Sequence, residues 1–246
     1  AKNAIVVGAS LSKRKAYDTY KSHITYWHNG LYPYGNLDNV DEDVCASFSG
    51  VGPTSDGRQK PDIIAPGSPI ASASAHVHGH FHLHPHDCSY FVRHGTSMSA
   101  PLVAGLVAQY RSQLVEPSAA MIKAILIVSA IKPRQLVNIN KVSPSIENTD
   151  KFYLHYGHGI VQGFDLENAI MKDDIVISAQ TPVQYDLTTV DSTVNIVLVW
   201  TDPPSSLHAA NHLVNNLDID VVINNKMRKF GNHEFTDALG VPDMYN

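Results

Sequence analysis

A serine set between a glycine turn and an apolar run is the residue of this chain best placed to do chemistry. Residues 95–101 read Gly-Thr-Ser-Met-Ser-Ala-Pro, and the run that follows, residues 102–108, predicts a buried helix. A serine at the start of such a helix lies beside unpaired backbone N–H groups and the positive end of the helix dipole. Both features stabilise a developing oxyanion, so Ser97 is the candidate nucleophile. The alternative is a serine that only caps a core helix.

The predicted helix carries further expectations about its surroundings. Small residues at Ala104, Gly105 and Ala108 would let a neighbouring backbone come close. Pro101 falls within the first turns, where we expect its missing N–H to cost little.

The serine segment resembles the serine motif of the subtilisin-like serine peptidases, the subtilases. Upstream, the resemblance is carried by residues 1–9 (AKNAIVVGA), 48–53 (FSGVGP) and 57–67 (GRQKPDIIAPG). Downstream, it is carried by residues 117–130 (PSAAMIKAILIVSA), 156–161 (YGHGIV), 198–203 (LVWTDP) and 213–218 (LVNNLD). The similarity therefore covers nearly the whole chain, apart from unmatched insertions near residues 11–44 and 74–92.

The resemblance implies an α/β fold made of two parts. Residues 1–172 correspond to the C-terminal part of a subtilisin-like catalytic domain with a mostly parallel sheet, and residues 173–246 to an incomplete, jelly-roll-like antiparallel β-sandwich. The residue pattern agrees, because strand-like and helical runs alternate up to about residue 170 and strand-like runs follow. Those later runs are residues 174–178, 183–187, 194–200 and 217–223. Residues 164–172 predict a short helix capped by Asp165.

Most of a subtilisin-like catalytic triad is missing from the chain. The triad needs a histidine that takes the serine proton and an aspartate that orients it, in the order Asp, His, Ser. Only 96 residues precede Ser97, and Ala1 matches a strand that the family places after both residues and after the oxyanion asparagine. Asp18 lacks the Asp-Ser-Gly or Asp-Thr-Gly setting of the family. His94 lies too close to Ser97, on the same turn, to be assumed a base.

Three explanations of the missing triad are open: a piece of a longer subtilase, one chain of a nicked enzyme, or a non-catalytic relative. The first is favoured, because the chain opens on a strand without a start methionine or signal segment. We then expect a serine endopeptidase that acts on polypeptides and is completed by the missing N-terminal catalytic segment. The alternative is a subtilase remnant that acts as a binding or scaffold protein. The resemblance favours a secreted or endomembrane location.

A histidine ladder is the second unusual feature, with a histidine at every second residue from 76 to 86. In an extended strand these imidazoles would share one face, ~6.5 to 7 Å apart. They could bind zinc, copper or nickel, or become charged together as the pH falls toward about 6. The other interpretation is a polar surface insertion. The ladder's candidate ligands are His78, His80, His82 and His84.

The proposed reaction requires no cofactor. Two further groups of residues could bind a metal ion or form a disulfide, and each has an alternative interpretation. One group is an oxygen-rich cluster that could hold Ca²⁺ or form a solvated strand face: Asn215, Asn216, Asp218 and Asp220. The other is the pair Cys45 and Cys88, which could form a disulfide if their Cα atoms come within ~7 Å.

Composition excludes several function classes. The 246 residues are 43% hydrophobic, which is ample for a core, and no apolar run reaches the ~18 residues of a membrane span. The net charge is -5, and the basic residues are scattered rather than clustered on one segment. We therefore expect neither a membrane span nor nucleic-acid binding.

Overall fold

The computed structural model describes residues 2–12, 44–46, 48–73, 90–133, 135–138, 141–142, 153–178, 182–188, 194–223 and 227–230. Over these residues, helices pack against a small mixed sheet. The strands of the first part are β1 (Val7–Leu11), β2 (Val44–Cys45), β3 (Ile63–Ser68), β4 (Ile70–Ala73), β5 (Tyr90–Arg93), β6 (Gln135–Asn138) and β7 (Lys141–Val142). The helices are α1 (Thr96–Gln113), α2 (Ala119–Val128) and the short α3 (Tyr153–Tyr156).

The main sheet has the strand order β3-β1-β2-β6-β7. β1 pairs in parallel with β3, and β2 pairs in parallel with β6, whereas β1–β2 and β6–β7 are antiparallel. The sheet is therefore mixed, and the α/β class is confirmed with a smaller parallel part than we predicted. β4 and β5 form a separate antiparallel ribbon that leads directly into the serine turn.

Strand β3 carries the core on both of its faces, as its apolar sequence requires for a buried parallel strand. Ile63 and Ala65 face the helices and form one cluster with buried residues of α1 and α2: Val103, Tyr110, Ile122, Ile125 and Leu126. Ile64 points the other way and packs with Cys45, Tyr156 and Ile160. Two backbone hydrogen bonds between Ile64 and residues 159 and 161 close the outer edge of the strand.

Helix α1 is buried along one face only, although its sequence is apolar nearly all round. The buried residues Ser99, Val103 and Tyr110 recur at helical spacing against the sheet. Ala104, Gly105 and Ala108 lie on the exposed face, and nothing lies within 4 Å of where a Cβ on Gly105 would stand. The prediction of a wholly buried helix with a close neighbour at these small residues is therefore wrong within the described residues, because no described element covers that face.

Helix α2 lies within residues 117–130, one of the segments that carry the resemblance. The Ser118 side chain caps it by accepting the Met121 N–H at 3.0 Å, and Asp173 in turn accepts the Ser118 hydroxyl at 2.6 Å. The short helix predicted over residues 164–172 is a single 3-10 turn, Leu166–Asn168, although Asp165 does cap it by accepting the Glu167 N–H.

The strand-like runs beyond residue 173 differ most from expectation. Residues 174–178, 183–187 and 194–200 carry no strand, and only the last run does, as β8 (Asp220–Ile223) paired with β9 (Met227–Phe230). β-Branched residues favour strands, but a strand also needs a neighbour that supplies the hydrogen-bond ladder. Among the described residues of this part, the three runs have no neighbouring strand to pair with. Val176 in the first run is 88% exposed, so it is not buried against another element. The predicted sandwich is not confirmed.

A buried carboxylate joins strand, loop and helix behind the sheet. Asp62 accepts from Lys60 Nζ at 2.7 Å, from Lys123 Nζ of α2 at 2.8 Å and from the Val6 N–H at 2.7 Å. Burial opposes ionisation, but the two ammonium groups hold the pKa of Asp62 below its usual value. This cluster fixes α2 against the start of β1.

A second buried carboxylate ties the last part of the chain to its first residues. Asp202 is 3% exposed and lies 2.7 Å from Lys2 Nζ. It also accepts the backbone N–H groups of Val214 and Asn215, each at 2.8 Å. We call Asp202 with these partners the Asp202 anchor. It brings together the two segments, 198–203 and 213–218, that carried the resemblance in this part.

Candidate functional site

The serine turn joins strand β5 to helix α1 through residue 95, whose backbone conformation favours glycine. Gly95 is the N-cap of α1 and has φ of 143°, which residues with a Cβ rarely adopt. The Met98 N–H returns to the Gly95 carbonyl at 3.0 Å, which closes the first turn. Ser97 is the second residue of the helix and is exposed, so its hydroxyl is open to a substrate.

The turn is held by the end of strand β3. The Gly95 N–H donates to the Gly67 carbonyl at 2.9 Å. Ser99, two residues beyond Ser97, is fully buried against Gly67, so closely that a Cβ on Gly67 would overlap its hydroxyl. Ser97 and Ser99 therefore point to opposite sides of the same turn. One faces solvent and the other faces the sheet.

The backbone around Ser97 leaves donors available for an oxyanion. Among the described residues, no acceptor hydrogen-bonds to the Ser97 N–H, as expected for the first turn of a helix. No acidic residue lies in that turn, so nothing there opposes the positive end of the dipole of this 18-residue helix. Together these features favour negative charge next to the Ser97 hydroxyl.

Pro101 is the sixth residue of helix α1 and lies beyond the first N–H groups, which have no intrahelical partner. It is inside the helix, four residues after Ser97, where its N–H would have met the Ser97 carbonyl. The proline therefore removes the helical donor from that carbonyl, and its ring crowds it. The helix nevertheless runs without interruption from residue 96 to residue 113. The expectation that the missing N–H costs little stays a prediction.

A general base is not present beside Ser97 in the described part of the chain. No described histidine or carboxylate hydrogen-bonds to Ser97 Oγ, and His94 instead turns its Nδ1 to Ser68 Oγ at 2.8 Å. The expectation that His94 is not the base, and that the histidine, aspartate and oxyanion asparagine lie outside the chain, stays a prediction. Asp18 lies outside the described residues.

The metal candidates are not brought together. His78, His80, His82 and His84 lie outside the described residues, and so does Cys88. Within the described ranges, no three acidic, histidine or cysteine side chains converge on a metal-sized site. The calcium prediction at Asn215, Asn216, Asp218 and Asp220 stays a prediction; Asn215 directs its side-chain amide to Asp202 at 3.1 Å.

Cys45 is a free and buried thiol. Burial raises the pKa of Cys45 to about 12, so the thiolate needed for nucleophilic chemistry is scarce at neutral pH. Cys45 is therefore a core residue, as its packing beside Ile64 already indicates.

Sequence reasoning missed the contact between Ser68 and His94. His94 immediately precedes the glycine of the serine turn, and Ser68 immediately follows the Ala-Pro-Gly segment at residues 65–67. The signal that could have found the contact is the short β4–β5 ribbon, because pairing of Ile70 with Arg93 must bring residues 68 and 94 together.

Comparisons with known proteins identify a family and several relatives. The model of the subtilase family matches residues 1–159. The chain is 31% identical over 216 residues to the serine protease/ABC transporter B family protein tagA of Dictyostelium discoideum, a match of 72% of this chain and 11% of that protein. It is 35% identical over 100 residues to serine protease AprX of Bacillus subtilis, covering 39% of this chain and 23% of AprX.

A plant relative gives a shorter match. Subtilisin-like protease SBT3.11 of Arabidopsis thaliana is 40% identical over 87 residues, which is 35% of this chain and 11% of that protein. The chain thus spans less than a quarter of the length of each of these relatives.

None of the helices in the described part of the chain is both long and apolar enough to cross a membrane.

Proposed function

Because the chain belongs to the subtilase family, we propose that it carries the nucleophile and part of the oxyanion hole of a serine endopeptidase. The observation that supports this proposal is the placement of Ser97, exposed on a glycine turn at the start of α1 with an unpaired backbone N–H beside it. Relatives named as serine proteases match 72% and 39% of the chain.

The proposed reaction follows from this placement. Ser97 Oγ attacks the carbonyl carbon of a peptide bond, and the Ser97 N–H donates to the oxygen that becomes negative. A histidine from the part of the protein outside this chain takes the hydroxyl proton and then gives it to the leaving amine. Water then hydrolyses the acyl-serine with the same histidine as base, which frees the second product and restores Ser97.

The substrate is then a polypeptide, as for the family. Residues 1–172 are proposed as the C-terminal part of the catalytic domain, completed by an N-terminal segment of the same protein. A secreted or endomembrane location stays a prediction from the family resemblance.

A fluorophosphonate probe tests the proposal on the longest natural form of the protein that contains this chain. We expect the probe to label Ser97, identified by mass spectrometry of the peptide that contains it. Ser97→Ala should abolish the label, whereas Ser112→Ala, an exposed serine on the same helix, should leave it unchanged. The 246-residue chain alone should react little, because the proposed base belongs to a segment outside it.

Two results would contradict the proposal. An unlabelled long form would indicate instead a non-catalytic subtilase remnant, the scaffold alternative. Strong labelling of Ser97 in the isolated chain would show that residues of this chain activate it, and the assignment of the base to a missing segment would be wrong.

A further inference from the structure

His94 stands three residues before Ser97 and takes no part in the proposed reaction. Its Nδ1 lies 2.8 Å from the Oγ of Ser68, which is 2% exposed at the end of strand β3. We propose that Ser68 and His94 are positioning residues that fix the Ser97 turn on the sheet. This inference rests on the proposed function, because it concerns the placement of the same nucleophile.

The turn needs an anchor because its cap has no side chain. Helix N-termini are usually held by a Ser, Thr, Asp or Asn side chain that accepts an N–H of the first turn. The cap of α1 is Gly95, and no side chain caps the helix. Glycine also has the widest backbone freedom of any residue. Without other contacts, the segment that carries Ser97 would be loosely placed.

Two contacts replace the missing cap, one from the backbone and one from a side chain. The Gly95 N–H donates to the Gly67 carbonyl at 2.9 Å. The His94 ring meets the hydroxyl of the next strand residue, Ser68. Together they hold two consecutive residues of the turn to two consecutive residues of β3, which restricts rotation of the turn as well as its distance from the sheet.

Ser68 is itself a fixed point. Its carbonyl accepts the Ser12 N–H at 2.7 Å, and it pairs with Leu11 in the parallel ladder between β1 and β3. A hydrogen bond to such a residue transfers the rigidity of the sheet to the His94 ring. The bond forms with either tautomer, because the serine hydroxyl can donate to a bare Nδ1 or accept from a protonated one.

Catalysis is sensitive to such placement, since a displacement of about 1 Å can lower a rate about a hundredfold. Substrate binding is less sensitive, because most of the binding contacts of a polypeptide lie away from the nucleophile. A positioning role therefore predicts a loss in kcat with little change in KM. A general loss of folding would instead reduce the amount of active enzyme in every variant of this region.

The kinetic test uses the longest natural form of the protein, a peptide substrate and active-site titration. We expect Ser68→Ala and His94→Leu each to lower kcat about tenfold or more, with KM changed less than about twofold. His94→Asn should restore most of the rate, because an Asn side chain places a polar atom near the position of Nδ1. Ser72→Ala, an exposed serine on the adjacent strand β4, serves as the control and should match the wild type.

The double variant Ser68→Ala with His94→Leu gives a second criterion. If the two residues act through one contact, its kcat should be close to that of the worse single variant. Multiplied losses would overturn the inference, and so would wild-type kcat in both single variants. An Asn variant as slow as the Leu variant would also overturn it, since a polar atom at that position would then be irrelevant.

Hydrogen exchange on the 246-residue chain separates this inference from the proposed function. Ser68→Ala should speed amide exchange of residues 95–98, while the amides of α2 exchange as in the wild type. If the wild-type long form neither cleaves the peptide nor reacts with the probe, the proposed function fails, and the exchange result still decides whether Ser68 anchors the turn. If the wild type is active and unchanged exchange accompanies unchanged kcat, only the anchor is wrong.

Discussion

The Ser97 turn contains two serines, Ser97 and Ser99, whose hydroxyl groups differ in exposure and in hydrogen bonding. Ser97 is exposed, whereas Ser99 is 0% exposed and its hydroxyl has no hydrogen-bond partner among the described residues. A buried hydroxyl without a partner loses its hydration and gains nothing in return, at a cost of about 1 to 3 kcal/mol. The turn therefore contains one serine that the proposed reaction uses and one whose burial costs stability.

Replacing Ser99 should accordingly improve stability. We expect Ser99→Ala to raise the free energy of unfolding by about 1 kcal/mol, measured by urea unfolding of the full chain. Ser129→Ala is the matched control, because Ser129 is also buried but donates to the Leu126 carbonyl at 3.0 Å. That variant should be neutral or less stable. A loss of stability in Ser99→Ala equal to that in Ser129→Ala would show that Ser99 has a partner in solution.

The thiol of Cys45 makes a second prediction at the residue scale. Its pKa is raised to about 12 by burial, so native protein should resist iodoacetamide at pH 8 for hours. After unfolding in guanidinium, the same residue should be alkylated within minutes. Peptide mapping distinguishes Cys45 from Cys88. Rapid alkylation of Cys45 in the native protein would mean that the sheet around β2 opens readily.

Among the elements, the contact of β3 with α1 decides where the candidate nucleophile Ser97 lies. A Cβ added to Gly67 would overlap the Ser99 hydroxyl and lie 2.8 Å from the Ala9 Cβ and 2.9 Å from the Gly95 carbonyl. The two elements can approach this closely only because residue 67 has no side chain.

The variant Gly67→Ala should therefore push the serine turn away from the sheet. We expect at least a tenfold slower reaction of Ser97 with the fluorophosphonate probe in the long form, together with a lower melting temperature. Gly105→Ala is the control, because nothing lies within 4 Å of the new Cβ and alanine favours a helix by up to about 1 kcal/mol. Equal reactivity in the two variants would contradict the close contact.

Elements with strong local signals could be predicted from the sequence, and elements that depend on a neighbour could not. The glycine turn before Ser97 is followed by a helix, as the sequence predicts. The burial of α1 was predicted wrongly because an apolar sequence does not reveal which face lacks a partner. The runs at residues 174–178 and 194–200 failed for the same reason, since strand propensity does not supply a pairing strand.

The histidine ladder remains a prediction at this scale. If its alternating imidazoles hold a metal, titration of the full chain with Zn²⁺ in a calorimeter should show binding that is lost below about pH 6, where the imidazoles protonate. A variant with Gln at positions 78, 80, 82 and 84 should lose the binding. Zn²⁺ binding that persists in this variant would mean that the ligands lie elsewhere. Absence of binding in the wild type would support the other interpretation, in which the ladder is a polar surface insertion.

For the molecule as a whole, the Asp202 anchor joins residues 200 positions apart in the chain. The sequence could indicate that the two segments around Asp202 and Asn215 belong to one kind of domain, by resemblance. It could not indicate that Lys2 and Asn3 reach them, because long-range ion pairs leave no periodic signal. Asn3 donates its side-chain amide to the Asp202 carbonyl at 2.9 Å and accepts the Asp202 N–H at 3.2 Å.

The anchor should carry a large share of the stability of the chain. Asp202→Asn removes the charge that faces Lys2 and leaves a backbone N–H of residue 214 or 215 without its acceptor. We therefore expect a loss of about 3 kcal/mol in the free energy of unfolding at pH 7. Asp186→Asn, an exposed aspartate of the same part, should change stability by less than about 0.5 kcal/mol.

The pH dependence of this loss gives the sharper measurement. Burial opposes ionisation of Asp202, but Lys2 and the two N–H donors hold its pKa below the usual value. A carboxylate with a lowered folded pKa stabilises fully above its unfolded pKa near 3.9, and this stabilisation is lost as the pH falls further. The difference in the free energy of unfolding between wild type and Asp202→Asn should therefore be constant from pH 7 to about 5 and should decrease below about pH 4. A difference that stays constant down to pH 3 would mean that Asp202 stabilises the fold through packing rather than charge.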